Sequence, residues 1–138
     1  MSEPAARILE TALYAADLDA AEAFYAGVLG LERLARSGDR HVFFRLAGAM
    51  LLVFNPSETE RPSTGLPVPP HGARGPGHVA FAAEAAELDR WRARLEAARV
   101  AIEADFFWPN GARSIYVRDP AGNSVEFAEP RLWGFDAG

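Results

Sequence analysis

The feature that most narrows what this chain can fold into is a repeat. The sequence reads strand, helix, three strands, and then reads the same order again. In the first half an apolar run over residues 8–14 predicts a strand. Asp19 stands three residues before Glu22, the spacing of a capping box, so a helix is expected from about 20 to 29. Phe24, Tyr25, Val28, Leu29 and Leu31 form its apolar stripe, and Gly30 supplies the left-handed residue that closes many helices. Strand-like runs follow at 31–35, 41–46 and 49–55, parted by turn residues at Ser37-Gly38-Asp39 and Ala47-Gly48.

The second half has a strand over 77–82, a helix over 85–98 with Leu88, Trp91, Leu95 and Ala98 at helical spacing, and strands over 102–106, 114–118 and 124–128. Pro109-Asn110-Gly111 and Asp119-Pro120-Ala121-Gly122-Asn123 supply its turns. Between the halves, residues 56–77 are rich in Pro, Gly, Ser and Thr, and read as a long loop. A module of roughly sixty residues buries only a modest core, so the two are expected to pack together. The expectation is an α+β fold: two tandem βαβββ modules in a single domain over 1–138, with a cleft between curved mixed sheets. Its parts are a first module at about 8–56, a loop at about 57–76, a second module at about 77–130 and a tail at 131–138.

Composition removes several functions. Fourteen basic against nineteen acidic residues give a net charge of −5, with no basic stripe to neutralise phosphates, so nucleic acid is excluded as a partner. Cysteine is absent, which removes disulfides, a thiolate nucleophile and a Cys-ligated metal. Lysine is absent too, which removes Schiff-base chemistry and a phosphate-loop lysine. The longest apolar run, 49–54, is far short of a membrane span, and residues 1–7 lack the basic-then-apolar pattern of a signal peptide. A cytoplasmic protein with no membrane partner is expected.

Side chains alternate across a strand, so Glu10, Ala12 and Tyr14 share one face while Leu9, Thr11 and Leu13 share the helix side. His78, Ala80 and Ala82 likewise lie opposite Val79 and Phe81, and Ser124, Glu126 and Ala128 opposite Val125 and Phe127. Each of these faces carries one ionisable residue among small neighbours, where a ligand has room. Taken singly, a strand histidine or carboxylate is usually an ordinary hydrogen-bonded residue. Two carboxylates and an imidazole together carry a large burial cost unless they are hydrated, paired or bound to a cation. Oxygen and imidazole donors suit Zn, Mn, Fe or Ni, so Glu10, His78 and Glu126 are the candidate ligands of a divalent metal ion. Glu10 and Glu126 are also the candidate proton carriers.

His41, Arg45, His71, Arg113, Tyr116 and Trp108 are candidate substrate contacts, with solvated strand or loop positions as the plain alternative for most of them. An arginine there would clamp a carboxylate or phosphate, and His71, with Arg74 in the same loop, would close over a ligand. Phe106 is assigned to the core, and Trp133 and Phe135 to docking against the domain or a second subunit. No phosphate-binding glycine loop, dinucleotide fingerprint or Gly-x-Ser-x-Gly elbow is present.

Three stretches carry a family resemblance: Asp17-Leu18 with Ala23-Phe24-Tyr25 and Val28-Leu29-Gly30-Leu31; Gly77-His78-Val79-Ala80-Phe81; and Asp119-Pro120-Ala121-Gly122-Asn123-Ser124-Val125-Glu126-Phe127. Together with the repeat they resemble the vicinal oxygen chelate superfamily over about residues 8–130. Its members include glyoxalase I, bleomycin-resistance proteins, fosfomycin-resistance thiol transferases, methylmalonyl-CoA epimerase and extradiol dioxygenases. The resemblance implies metal ligands on the first and last strands of each module, and it carries that role directly onto His78 and Glu126. The first-strand ligand, typically His, is here Glu10, and the fourth position falls within 50–54, where every residue is apolar.

Two of the four glyoxalase I ligand positions therefore differ, and an extradiol iron site would keep only one histidine. What the resemblance implies is a glyoxalase-like, metal-dependent lyase or isomerase acting on a small substrate with adjacent oxygens, and a homodimer. The alternatives are a bleomycin-resistance-like protein that sequesters a cationic drug or metabolite without chemistry, a thiol transferase, or a ring-cleaving dioxygenase.

Overall fold

A computed structural model of the chain describes residues 3–136. The last two residues of the tail expected over 131–138 lie outside the described residues. The chain parts between Arg74 and Gly75 into two compact units. The first contains β1 (Glu10–Tyr14), α1 (Leu18–Glu22), a π-helical segment (Ala23–Val28), β2 (Glu32–Ser37), β3 (His41–Arg45), β4 (Met50–Phe54) and the short α2 (Pro56–Thr59). The second contains β5 (His78–Ala82), α3 (Ala85–Ala97), β6 (Ala104–Phe107), β7 (Arg113–Arg118), β8 (Ser124–Ala128) and a 3-10 turn (Pro130–Trp133). Each unit holds a four-stranded sheet, ordered β1-β4-β3-β2 and β5-β8-β7-β6. In both sheets the first strand runs parallel to the last and the other pairs are antiparallel. The fold is thus α+β, two tandem βαβββ modules with mixed sheets, as the repeat predicts.

The first helix begins two residues before its expected start. Asp17, rather than Asp19, caps it by accepting a hydrogen bond from the Ala20 amide at 3.0 Å. That start turns Leu18 and Ala21 into the core. Asp19 and Glu22 bind Arg36 on β2 at 2.8 and 3.1 Å instead of forming a capping box. Gly30, at φ 78°, then reverses the chain, a backbone conformation that favours glycine.

Around that helix the first unit buries Leu13, Tyr25, Phe44, Leu51 and Val53. In the second unit Leu88 and Leu95 face inward from α3, and the Trp91 ring stacks on Phe127 at 4.6 Å. Each such side chain contributes about 1.5–3 kcal/mol through burial. The Glu84 and Glu87 pair at the start of α3 forms the capping box that the first helix lacks.

Several expectations are corrected. β1 starts at Glu10, so Ile8 and Leu9 lie before the strand and are exposed, and Leu9 is not on a buried face. β6 runs over Ala104–Phe107 and is an edge strand. With one side of the sheet open, Phe106 is not core: it is 37% exposed and lies parallel to the Tyr116 ring. Trp133 and Phe135 are exposed within this chain and so are not docked against their own domain. The segment expected to be all loop opens with α2, capped by the Asn55 side chain. Among the described residues no helix is long and apolar enough to cross a membrane.

Candidate functional site

Strand pairing in the second unit gathers the ionisable residues. His78 stands opposite Ser124, Glu126 opposite Ala80 on one side and Tyr116 on the other, and Ser114 opposite Ala128. Alternation therefore puts His78, Glu126, Tyr116 and Ser114 on one face of three adjacent strands. The turn before β8 holds this register. Asn123 accepts a hydrogen bond from the Gly77 amide at 2.7 Å and donates from its own amide to Asp119 at 2.9 Å, fixing the start of β5 beside β8.

The donors and acceptors of this face are unevenly matched. A carbonyl oxygen only accepts, so the 3.1 Å contact between His78 Nδ1 and the Ser124 carbonyl places a proton on Nδ1. In the neutral ring Nε2 then presents a lone pair, and it lies 3.2 Å from Glu126 Oε1. Two electron-pair donors at that distance require a positive centre, either a proton on Nε2 or a metal ion held by both atoms. A bond from the far ring nitrogen to a backbone carbonyl is also how metal-bound histidines are commonly oriented. The donor set fits a divalent ion on these two residues.

Glu126 is 5% exposed, and its other oxygen, Oε2, accepts the Ser114 hydroxyl at 2.6 Å. Ser114 Oγ in turn accepts the Trp108 indole N–H at 2.8 Å. Burial, and next the neighbouring Glu126, push the Tyr116 phenol up to about 12, so it stays protonated at neutral pH and can donate. His78, Trp108, Tyr116 and Glu126 together line a cavity of about 720 Å³ in the second unit, with apolar walls from Phe81, Leu132, Trp133 and Phe135.

The remaining sequence candidates stand elsewhere. Glu10 is exposed at the start of β1 in the first unit, opposite Met50. His41 and His71 are also in the first unit. His41 Nδ1 accepts from Arg40 at 2.7 Å and its ring stacks on Phe43, while burial, and then the Arg40 charge, hold its pKa below the ordinary value. His71 meets the Tyr14 hydroxyl at 2.6 Å and bonds through its amide to the Thr59 carbonyl, which ties the loop to the unit's own residues. Arg45 pairs with Glu32 at the surface. Arg113 directs its guanidinium to Asp105 and Asp89, each at 2.7 Å, and is outside the cavity lining. Among the described residues no group of three or more His, Asp or Glu side chains forms a metal cluster. Ser114 was not a sequence candidate, although period-two alternation already places it on the same face as Tyr116.

Comparison with known proteins agrees with this architecture. The family model described as Glyoxalase/Bleomycin resistance protein/Dioxygenase superfamily matches residues 7–127. A crystal structure of lactoylglutathione lyase from Agrobacterium tumefaciens is 51% identical, with a TM-score of 0.93 over 96% of this chain and 100% of that one. A glyoxalase/bleomycin resistance protein/dioxygenase from Nocardioides, 24% identical, superposes with a TM-score of 0.72 over 100% of this chain and 90% of its own, a likeness of fold. No curated protein matches the chain at a significant level.

Proposed function

The chain belongs to the Glyoxalase/Bleomycin resistance protein/Dioxygenase superfamily, and from that premise we propose that it is a metal-dependent lyase acting on a small substrate with two adjacent oxygens. The observation that carries this reading is the pair of His78 Nε2 and Glu126 Oε1, two lone-pair donors 3.2 Å apart at an apolar cavity. The 51% identity to a lactoylglutathione lyase supports taking the substrate as the hemithioacetal of a 2-oxoaldehyde and a thiol.

In this proposal His78 and Glu126 hold the ion. A divalent ion, when bound, stabilises negative charge that develops on the two neighbouring oxygens of the substrate. The Glu126 carboxylate takes the proton from the carbon that bears the hydroxyl and the sulfur and returns it to the adjacent carbonyl carbon, while the hydroxyl proton passes to the former carbonyl oxygen. The product is a 2-hydroxyacyl thioester, and the transfer needs no oxidant or reductant. Tyr116, neutral at working pH, donates a hydrogen bond toward the substrate oxygens, and Trp108 and Phe81 hold its carbon skeleton and keep water out. The same reading takes the chain to work as a cytoplasmic homodimer.

Tag-free protein, stripped of metal and then given Zn, Mn, Ni or Fe(II), is assayed for thioester formation from methylglyoxal or phenylglyoxal with glutathione. Ion-dependent turnover is expected. Binding of small cationic or aromatic ligands without turnover under any ion would overturn the lyase reading in favour of a binding protein.

A further inference from the structure

The two oxygens of Glu126 meet different partners, and the Tyr116 phenol is a further hydrogen-bonding neighbour of the carboxylate. Its Oε2 accepts the Ser114 hydroxyl at 2.6 Å, while Oε1 lies beside His78 at 3.2 Å. Ser114 is fully buried, and its hydroxyl has a single hydrogen to give. The Trp108 indole can only donate, and its 2.8 Å bond to Ser114 Oγ takes up a lone pair of that oxygen. The Ser114 hydrogen therefore does not go to the indole, and the 2.6 Å contact directs it to Glu126, beside the Tyr116 phenol that neighbours both groups. We propose that Trp108 and Ser114 are positioning residues that divide the labour of the Glu126 carboxylate: Oε2 is the anchored oxygen, and Oε1 is the one presented with His78 to an ion.

The proposal rests on reading His78 and Glu126 as the ion-holding pair. It predicts that the donor chain runs in one direction, from indole to hydroxyl to carboxylate, so a change at Glu126 reaches Trp108 through Ser114. Without Ser114, Oε2 loses its 2.6 Å bond in a buried setting and the carboxylate, with Tyr116 as its remaining hydroxyl neighbour, gains freedom to turn about its last side-chain bond. Partners of this kind behind a metal ligand change ion affinity by roughly 10- to 100-fold when removed.

The test uses the full chain, free of metal. The indole N–H resonance of Trp108, assigned by its loss in Trp108→Phe, is followed by proton–nitrogen NMR. It is expected to shift in Glu126→Gln and again when nickel or zinc chloride is added to the unaltered protein. Calorimetric titration with nickel alone is expected to show affinity weakened roughly 10- to 100-fold in Ser114→Ala and less in Trp108→Phe. A Trp108 resonance unmoved by Glu126→Gln, or a folded Ser114→Ala that binds nickel as tightly as the unaltered protein, overturns the proposal. If the unaltered protein binds neither nickel nor zinc, the ion-holding reading fails, while the response of the indole to Glu126→Gln still decides whether the relay exists.

Discussion

Leu52 and Glu126 hold the same place in the two sheets. Leu52 faces Ala12 across the parallel pair β1 and β4, and Glu126 faces Ala80 across β5 and β8. On the antiparallel side Leu52 meets Phe43 where Glu126 meets Tyr116. The repeat preserves the backbone position, and the second copy sets the Ser114 hydroxyl and the His78 imidazole against its buried carboxylate.

Exchange at this place should separate stability from function. Leu52→Glu puts a carboxylate at a buried position between Ala12 and Phe43, its strand neighbours, and is expected to cost about 3–5 kcal/mol of stability. Glu126→Leu is expected to leave the unfolding midpoint unchanged or raised, because an apolar side chain of similar size replaces a buried charge, while ion binding disappears. Denaturant unfolding of the two variants checks both signs.

Asn123→Ala should be among the most damaging changes outside the hydrophobic core. It removes the acceptor of the Gly77 amide and a donor to Asp119, both in a buried turn. A loss of about 3 kcal/mol is expected, with exchange protection of the Gly77 amide falling first. Asn123→Asp, which keeps the acceptor oxygen, should restore the Gly77 bond but set two carboxylates against each other.

Asp105 makes stability depend on acid. Hydrogen bonds from Arg113 foremost, and then from Arg92, bring its pKa from 3.8 to about 2. A depressed folded-state pKa contributes stability that is fully present above 3.8 and is lost as pH falls through about 2. The unfolding midpoint of Asp105→Asn should therefore lie below that of the unaltered protein at neutral pH and converge toward it across that acid window. Equal gaps at all pH values would contradict the ion-pair origin.

Alternation and turn chemistry make the order of elements along the chain, and the faces that carry His78 and Glu126, readable from the residues alone. β8 was placed to the residue, and His78 and Glu126 fell on the face they occupy. What escaped depended on contacts between residues remote in sequence. Asp17 and Asp19 are equally good caps by type, and the choice between them is made by burial of Leu18 and by Arg36 on β2, which draws Asp19 and Glu22 away. Phe106 looks like core until β6 proves to be an edge strand. His71 reads as a loop residue because its partner, Tyr14, lies 57 positions away. Arg113 had the right type for a substrate clamp, but two aspartates from other elements hold it.

The central claim is that His78 and Glu126 hold a divalent ion. Elemental analysis of tag-free protein, repeated on His78→Ala and Glu126→Ala, tests it most directly. Near-stoichiometric metal in the unaltered protein, lost in both variants, is the predicted result. An unaltered protein that carries no metal, and whose melting temperature does not rise when Zn, Mn, Ni or Fe(II) is added, would contradict it.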